Sequence, residues 1–148
     1  MATRWWCRTS SGLLIGQQLP VYFAFALLKH VIPLHMLIRL AWRRPTTTRD
    51  FGTVKRLAAL ALRTAQLAGL SDRNCLQCSL LLYRVLSRVG ADPVIVVGFR
   101  RVGGKLSGHA WVVVDGLALA DTADNVAGFE PMFGFGRQGA LLRPNPTS

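Results

Sequence analysis

Cys75, His109 and Asp121 have the residue types, in the order along the chain, that thiol chemistry requires. A cysteine nucleophile needs a base to take its proton and a third group to orient that base. The reaction such a set performs is acyl transfer through a thioester. Transfer to water is hydrolysis, and transfer to an amine is condensation.

Cys75 opens an apolar stretch that the local signals bound as one helix. Asn74 is a good N-cap residue, Gly90 can take the left-handed conformation that ends helices, and Pro93 follows as a stop. Leu76, Leu80, Tyr83 and Val89 lie along one side, and Cys75, Ser79, Leu82 and Leu86 along another. Gln77, Arg84 and Arg88 make the one polar stripe, so most of this helix is expected to be buried. In the first turn, unpaired backbone N–H groups and the positive end of the helix dipole favour a thiolate and can donate to an oxyanion.

After Gly90 the period changes to that of strands. Pro93-Val94-Ile95-Val96-Val97-Gly98-Phe99 is a β-branched run, Gly103-Gly104 marks a turn, and Gly108 to Val114 is a second strand carrying His109. Asp115-Gly116 then signals a hairpin into a third strand, Leu117 to Asp121. A strict two-residue turn would pair Asp121 with Ala110 and point it away from His109. A three-residue connection with Gly116 as a left-handed bulge would pair Val113 with Leu117 and His109 with Asp121, their Cβ atoms about 4.5–5.5 Å apart. The bulged turn is therefore expected, with Asp124 as the alternative orienter. Trp111 shares the strand face of His109, either lining the site or packing in the core.

Two other chemistries use the same cysteines. Cys75-Leu76-Gln77-Cys78 is the spacing of a redox pair, but no strand pattern leads into it. Cys75, Cys78 and His109 could ligate zinc only if distant Cys7 or a water completed the shell. No metal or cofactor is expected, and Cys78 is assigned to the core. His30 and His35, in apolar helical surroundings, have no metal-ligand company.

The elements that must position this set come first in the chain. Residues 11–42 read as helical, a short segment before Pro20 and a longer one after it that Pro33 divides. Residues 43–50 form a connection in which Thr48 or Asp50 caps the next helix. In Phe51 to Leu67 the positions Val54, Leu57, Ala58, Ala61, Ala65 and Ala68 keep helical spacing, with the end near Gly69. The fold class is α+β, helices first and then a small antiparallel sheet packed on the Cys75 helix. Beyond Asp124 the apolar residues Phe129, Met132, Phe133 and Phe135 are expected to wrap back onto the core, with Arg143 to Ser148 frayed. Residues 1–49 form a basic Leu-rich segment and 50–148 the core, together one compact domain.

The chain has 148 residues, 51% of them hydrophobic, enough for one domain with a real core. Its 18 Lys and Arg against 7 Asp and Glu give a net charge of +11, which implies acidic partners. Eleven of the basic residues precede Cys75, opposed there by Asp50 and Asp72, so the positive surface belongs to the N-terminal half. No helix-turn-helix or RNA-binding signature accompanies the charge, and nucleic acid is not an expected partner. Three cysteines without a secretory signal pattern place the protein in the cytoplasm. No apolar window reaches the 18 or so residues of a spanning helix. Trp5, Trp6 and nearby basic residues are candidates for peripheral contact at a membrane surface.

Cys-Leu-x-x-Ser-Leu (Cys75 to Leu80), the Leu-rich helix ending in Gly, Val-Gly-Phe-Arg (Val97 to Arg100), and His-Ala-Trp-Val (His109 to Val112) followed by Asp115-Gly116 resemble the lasso peptide leader peptidases. These form a transglutaminase-like branch of the papain-type cysteine proteases, and the resemblance covers about residues 50 to 124. It implies Cys75 as nucleophile, His109 as general base and acid, and Asp121 as third member. It also implies the reaction: hydrolysis of one peptide bond in a ribosomally made lasso precursor, freeing the core for a separate ATP-dependent cyclase. Some relatives carry a leader-binding domain ahead of the protease. The helical character of residues 1–74 implies instead a separate leader-binding protein acting in trans. The basic half is then a candidate to attract an acidic leader or the protein that holds it. Acyl transfer to an amine, or a non-catalytic scaffold role in the biosynthetic complex, are the alternatives.

Overall fold

The computed structural model describes residues 6–46, 50–67 and 74–142. Four helices precede a five-stranded antiparallel sheet: α1 (Trp6–Leu28), α2 (Leu34–Ala41), α3 (Phe51–Leu67) and α4 (Cys75–Arg88). The sheet contains β1 (Val94–Val102), β2 (Lys105–Val114), β3 (Leu117–Leu119), β4 (Glu130–Phe135) and β5 (Leu141–Leu142) in the order β3-β2-β1-β4-β5. A short helix, α5 (Ala123–Ala127), joins β3 to β4, and one 3₁₀ turn (Arg137–Gly139) follows β4. The fold is α+β.

α4 is the element that both layers bury. Leu80, Leu81, Leu82, Tyr83 and Leu86 are all nearly inaccessible, and they pack with Ile95, Val112 and Val114 of the sheet and with Tyr22, Phe25, Leu37, Ile38 and Val54 of the other helices. Each fully buried side chain of this kind contributes roughly 1.5–3 kcal/mol, against about 1 kcal/mol net for a hydrogen bond. Packing therefore holds α4 in place, and hydrogen bonds set its register. Ser79 Oγ donates to the Ala110 carbonyl at 2.9 Å, and Tyr83 Oη donates to the Gly136 carbonyl at 2.5 Å. The helix ends as its sequence signals: Gly90 takes φ +70°, Gly90 N–H bonds the Ser87 carbonyl and Ala91 N–H the Leu86 carbonyl, a Schellman closure.

The described helices and strands correct several expectations. α1 runs through Pro20 instead of dividing there. Pro20 and Gly16, whose carbonyl loses its donor, both lie on the exposed face where water can replace the bond, while Tyr22 and Phe25 anchor the buried face. The break comes at residues 29–33, and Pro33 occupies the N-cap of α2. Gln77 is not on an exposed polar stripe: it is 2% accessible, and its Oε1 has no partner among the described residues. The tail after Asp124 does more than wrap apolar side chains onto the core. It forms α5 and pairs β4 along β1. Phe129 and Phe135 are buried, but Met132 and Phe133 stay exposed.

Asp50 caps α3, accepting from Thr53 N–H at 2.8 Å and from Thr53 Oγ1 at 2.7 Å. Val54, Ala58 and Ala61 form its buried stripe. The alternative cap Thr48, the helix end at Ala68 and Gly69, Trp5, the side chains of Trp6 and Cys7, and Arg143 to Ser148 lie outside the description. No helix among the described residues is long and apolar enough to cross a membrane.

Candidate active site

Cys75 is the first residue of α4, and Asn74 holds the N-cap position, its carbonyl accepting from Cys78 N–H. The Asn74 side chain does not cap the helix. Its Oδ1 accepts instead from Lys29 Nζ at 3.0 Å, so the first-turn amides around Cys75 are not bonded by that carboxamide. Such amides, at the positive end of the dipole, suit an anion.

His109 sits on β2 opposite Gly98 of β1, on the stretch that β3 leaves uncovered, since β3 pairs only with Val112 to Val114. Gly98 is required there by close approach. A Cβ at that position would lie 2.8 Å from the Glu130 carbonyl oxygen and 2.8 Å from Trp111 Cη2. The space lets the Trp111 indole lie across β1, where it stacks on the imidazole at 5.8 Å between centroids. Phe129 lies against the imidazole at 4.9 Å and against Trp111 at 6.5 Å, and the Arg100 guanidinium covers Phe129 at 4.4 Å. Trp111, 4% accessible, both packs in the core and lines the site.

Asp121 reaches His109 by a route other than the expected bulged turn. The Asp115-Gly116 turn is the strict two-residue form, with both residues at positive φ and Val114 paired with Leu117, not the bulged turn. In a continuing strand Asp121 would then face away. β3 instead stops at Leu119, and Ala120 takes φ +59°, which breaks the alternation and turns the next residue back. Asp121 Oδ2 lies 2.6 Å from His109 Nε2.

The other carboxylate oxygen accepts from Thr122 N–H at 2.9 Å and from Asn125 Nδ2 at 2.8 Å. Thr122 caps α5 and so fixes Asn125 one turn on. Burial pushes the Asp121 carboxyl up, but the hydrogen bonds from Asn125, His109 and Thr122 outweigh it, and the group lies below its ordinary range. His109 and Asp121 are 17% and 14% accessible, so water screens their pairing far less than that of a surface pair. Sequence reasoning missed Asn125. The signal was Thr122-Ala123-Asp124-Asn125, a capping pattern directly after the carboxylate.

Cys75, His109 and Asp121 line one cavity of about 410 Å³, with Ala61 and Leu62 of α3, Leu82 of α4 and Leu119 on its apolar side. Among the described residues no hydrogen bond joins Cys75 to His109. With Nε2 engaged by the carboxylate, Nδ1 is the imidazole nitrogen available to a thiol, and such contacts often tighten only when substrate is bound. Cys75 and Cys78 are free thiols. Cys78 lines the cavity as well as packing against the core, where burial raises its thiol's pKa. Asp124 is exposed and takes no part in the His109 contact. His30 and His35 are exposed. No group of three or more His, Cys, Asp or Glu among the described residues is placed to hold a metal ion.

A thiol at a helix start, an imidazole on the neighbouring sheet and a carboxylate behind it are the parts of an acyl-transfer site. The sequence pattern of the transglutaminase-like superfamily matches residues 18–134, which include α2 to α5 entire, the C-terminal part of α1 and most of β4. This protein belongs to the transglutaminase-like superfamily. Its fold is accordingly of the cysteine protease and acyltransferase type. No curated protein and no solved structure matches the chain significantly. The match begins within α1, so part of the N-terminal helical layer belongs to the superfamily pattern together with the sheet.

Proposed function

We propose that this member of the transglutaminase-like superfamily is a cysteine peptidase that removes the leader from a ribosomally made lasso peptide precursor. The observation that carries the chemistry is the shared cavity of Cys75 and His109, with His109 Nε2 held 2.6 Å from Asp121. The motifs from Cys75 to Leu80, Val97 to Arg100 and His109 to Val112 support the choice of substrate. The leader is presented by a separate leader-binding protein, the freed core passes to an ATP-dependent cyclase, and the reaction takes place in the cytoplasm.

In the mechanism, His109 Nδ1 takes the proton of the Cys75 thiol, and the thiolate adds to the scissile carbonyl. The charge that develops on the carbonyl oxygen is met by first-turn amides of α4, the Cys75 N–H first among them. His109 then gives its proton to the leaving amine, the C–N bond breaks, and the leader remains as a thioester on Cys75. Water enters, His109 takes its proton, and hydroxide addition expels the thiolate. One peptide bond and one water give an acid and an amine. Asp121 keeps the imidazole oriented and supports its positive charge through both steps, and Asn125 acts through Asp121.

The test is mass spectrometry of a lasso precursor incubated with this protein and the leader-binding partner. Two fragments whose masses sum to precursor plus water, absent with Cys75→Ala and His109→Ala, are the expected result. An amine adduct in place of hydrolysis would establish acyl transfer. Product formation in the complete biosynthetic system that is insensitive to Cys75→Ala would establish the scaffold role.

A further inference from the structure

A second and larger cavity, about 820 Å³, lies on a different face of α4 from Cys75. It is built by the chain that follows α2. Trp42 leaves that helix in an extended conformation, and Arg43 N–H then bonds Ser87 Oγ at 3.1 Å. Thr46 N–H bonds the Arg88 carbonyl at 2.9 Å. These bonds lay residues 43–46 along the C-terminal turns of α4. Arg43 and Arg44 are thereby brought beside Arg84 and Arg88, and all four line the groove.

Among the described residues no carboxylate pairs with any of the four guanidinium groups. Arg84 is held below its ordinary pKa by burial first and then by the charges of Arg43 and Arg88. The repulsion among the four charges is relieved when an anion from outside binds among them. The floor between the cations is aliphatic, formed by Val21, Leu57, Leu81 and Val85.

We infer that this groove is a docking site for an extended peptide segment in which carboxylates alternate with aliphatic side chains. Four forked guanidiniums match carboxylates bidentately, and the aliphatic floor takes the side chains between them. Gln18 also lines the groove, its Oε1 buried and without a hydrogen-bond partner among the described residues. Among the described residues no aromatic ring lines the groove for bases to stack on. The inference stands apart from the chemistry at Cys75, and its test needs no catalysis.

The test is fluorescence anisotropy of a labelled peptide of alternating glutamate and valine, with a glutamine-for-glutamate peptide as control. It is run at physiological ionic strength, where charges more than about 8 Å apart are largely screened. Saturable binding that weakens at least about tenfold in Arg84→Gln/Arg88→Gln, from lost charge-assisted contacts, is expected. The pair Lys55→Gln/Arg56→Gln, exposed on α3 outside the groove, should change it less than about twofold. Arg84→Lys/Arg88→Lys keeps the charge but loses the fork, and should bind with intermediate affinity. Thermal melting monitored by circular dichroism establishes that each variant is folded, and the lysine pair carries the comparison if the glutamine pair is not. No binding to wild type, or equal losses in the groove and control pairs, overturns the inference. So does groove-dependent binding of phosphatidylglycerol vesicles or single-stranded DNA in place of the peptide.

Discussion

α4 presents two cavities with opposite electrostatic construction. Around Cys75 the charges are matched inside the fold: the His109 imidazole faces the Asp121 carboxylate, whose second oxygen is filled by Thr122 and Asn125. Around Arg84 they are not, and four guanidiniums meet without a carboxylate among the described residues. Groups that must hold one geometry through a reaction are preorganised by their own neighbours, at a cost met once in folding. Charges left unmatched on an open groove keep their binding energy for something that arrives from outside.

Removing the internal match should have the larger effect. Asp121→Ala should lower the rate of precursor cleavage about a hundredfold, measured as kcat/KM, because the imidazole loses both its orientation and its counter-charge. A loss under threefold would mean that the aromatic walls of Trp111 and Phe129 hold the ring unaided. Gly98→Ala tests those walls. Its Cβ meets a backbone oxygen that cannot swing aside, so about 1–3 kcal/mol of stability should be lost by denaturant unfolding. The indole stacked on His109 should be displaced as well.

Acid should discriminate between the two cavities more gently. Asp121 lies below its ordinary value of 3.8 in the folded state. Its stabilising contribution is therefore fully present above that ordinary value and is lost as pH falls through the lowered one. Below about pH 4 the wild type should lose stability more steeply than Asp121→Asn, in urea titrations at successive pH values. The smallest effect has the opposite sign. Arg84→Met relieves a like-charge i,i+4 pair with Arg88 and should raise stability by about 0.2–0.5 kcal/mol, the gain shrinking as salt is added. A loss of stability instead would show that the arginine cluster is matched within the fold.

What was legible in the sequence follows the reach of the signals. The ends of α4 fall at Asn74 and Gly90 as their residue types signal, although only Gly90 acts by the local chemistry expected, the Asn74 side chain turning to Lys29 instead. Cys75, His109 and Asp121 line one cavity because a helix start, a strand and a hairpin were each marked in order. The hairpin register was misjudged, since Ala120 carries no sign that it will take a left-handed conformation. Asp121 meets His109 through that kink and not through strand pairing. β4 was hidden because Pro131 and Gly134 interrupt its strand pattern, and its pairing with β1 is set by tertiary contacts. Gln77 was misassigned because helical periodicity cannot say that all sides of a helix will be covered. The arginine groove depends on Arg43 and Arg44 being carried to α4 by hydrogen bonds from residues more than forty positions away, which no local pattern records.

The central claim is that Cys75 carries the acyl group. Its most direct test mixes the protein with precursor and leader-binding partner, quenches in acid, and maps by mass where any covalent adduct lies. A protein species heavier by the leader acyl group, located on Cys75 and absent in Cys75→Ala along with cleavage, is the predicted result. An adduct on Cys78, or cleavage at an undiminished rate in Cys75→Ala, would contradict it.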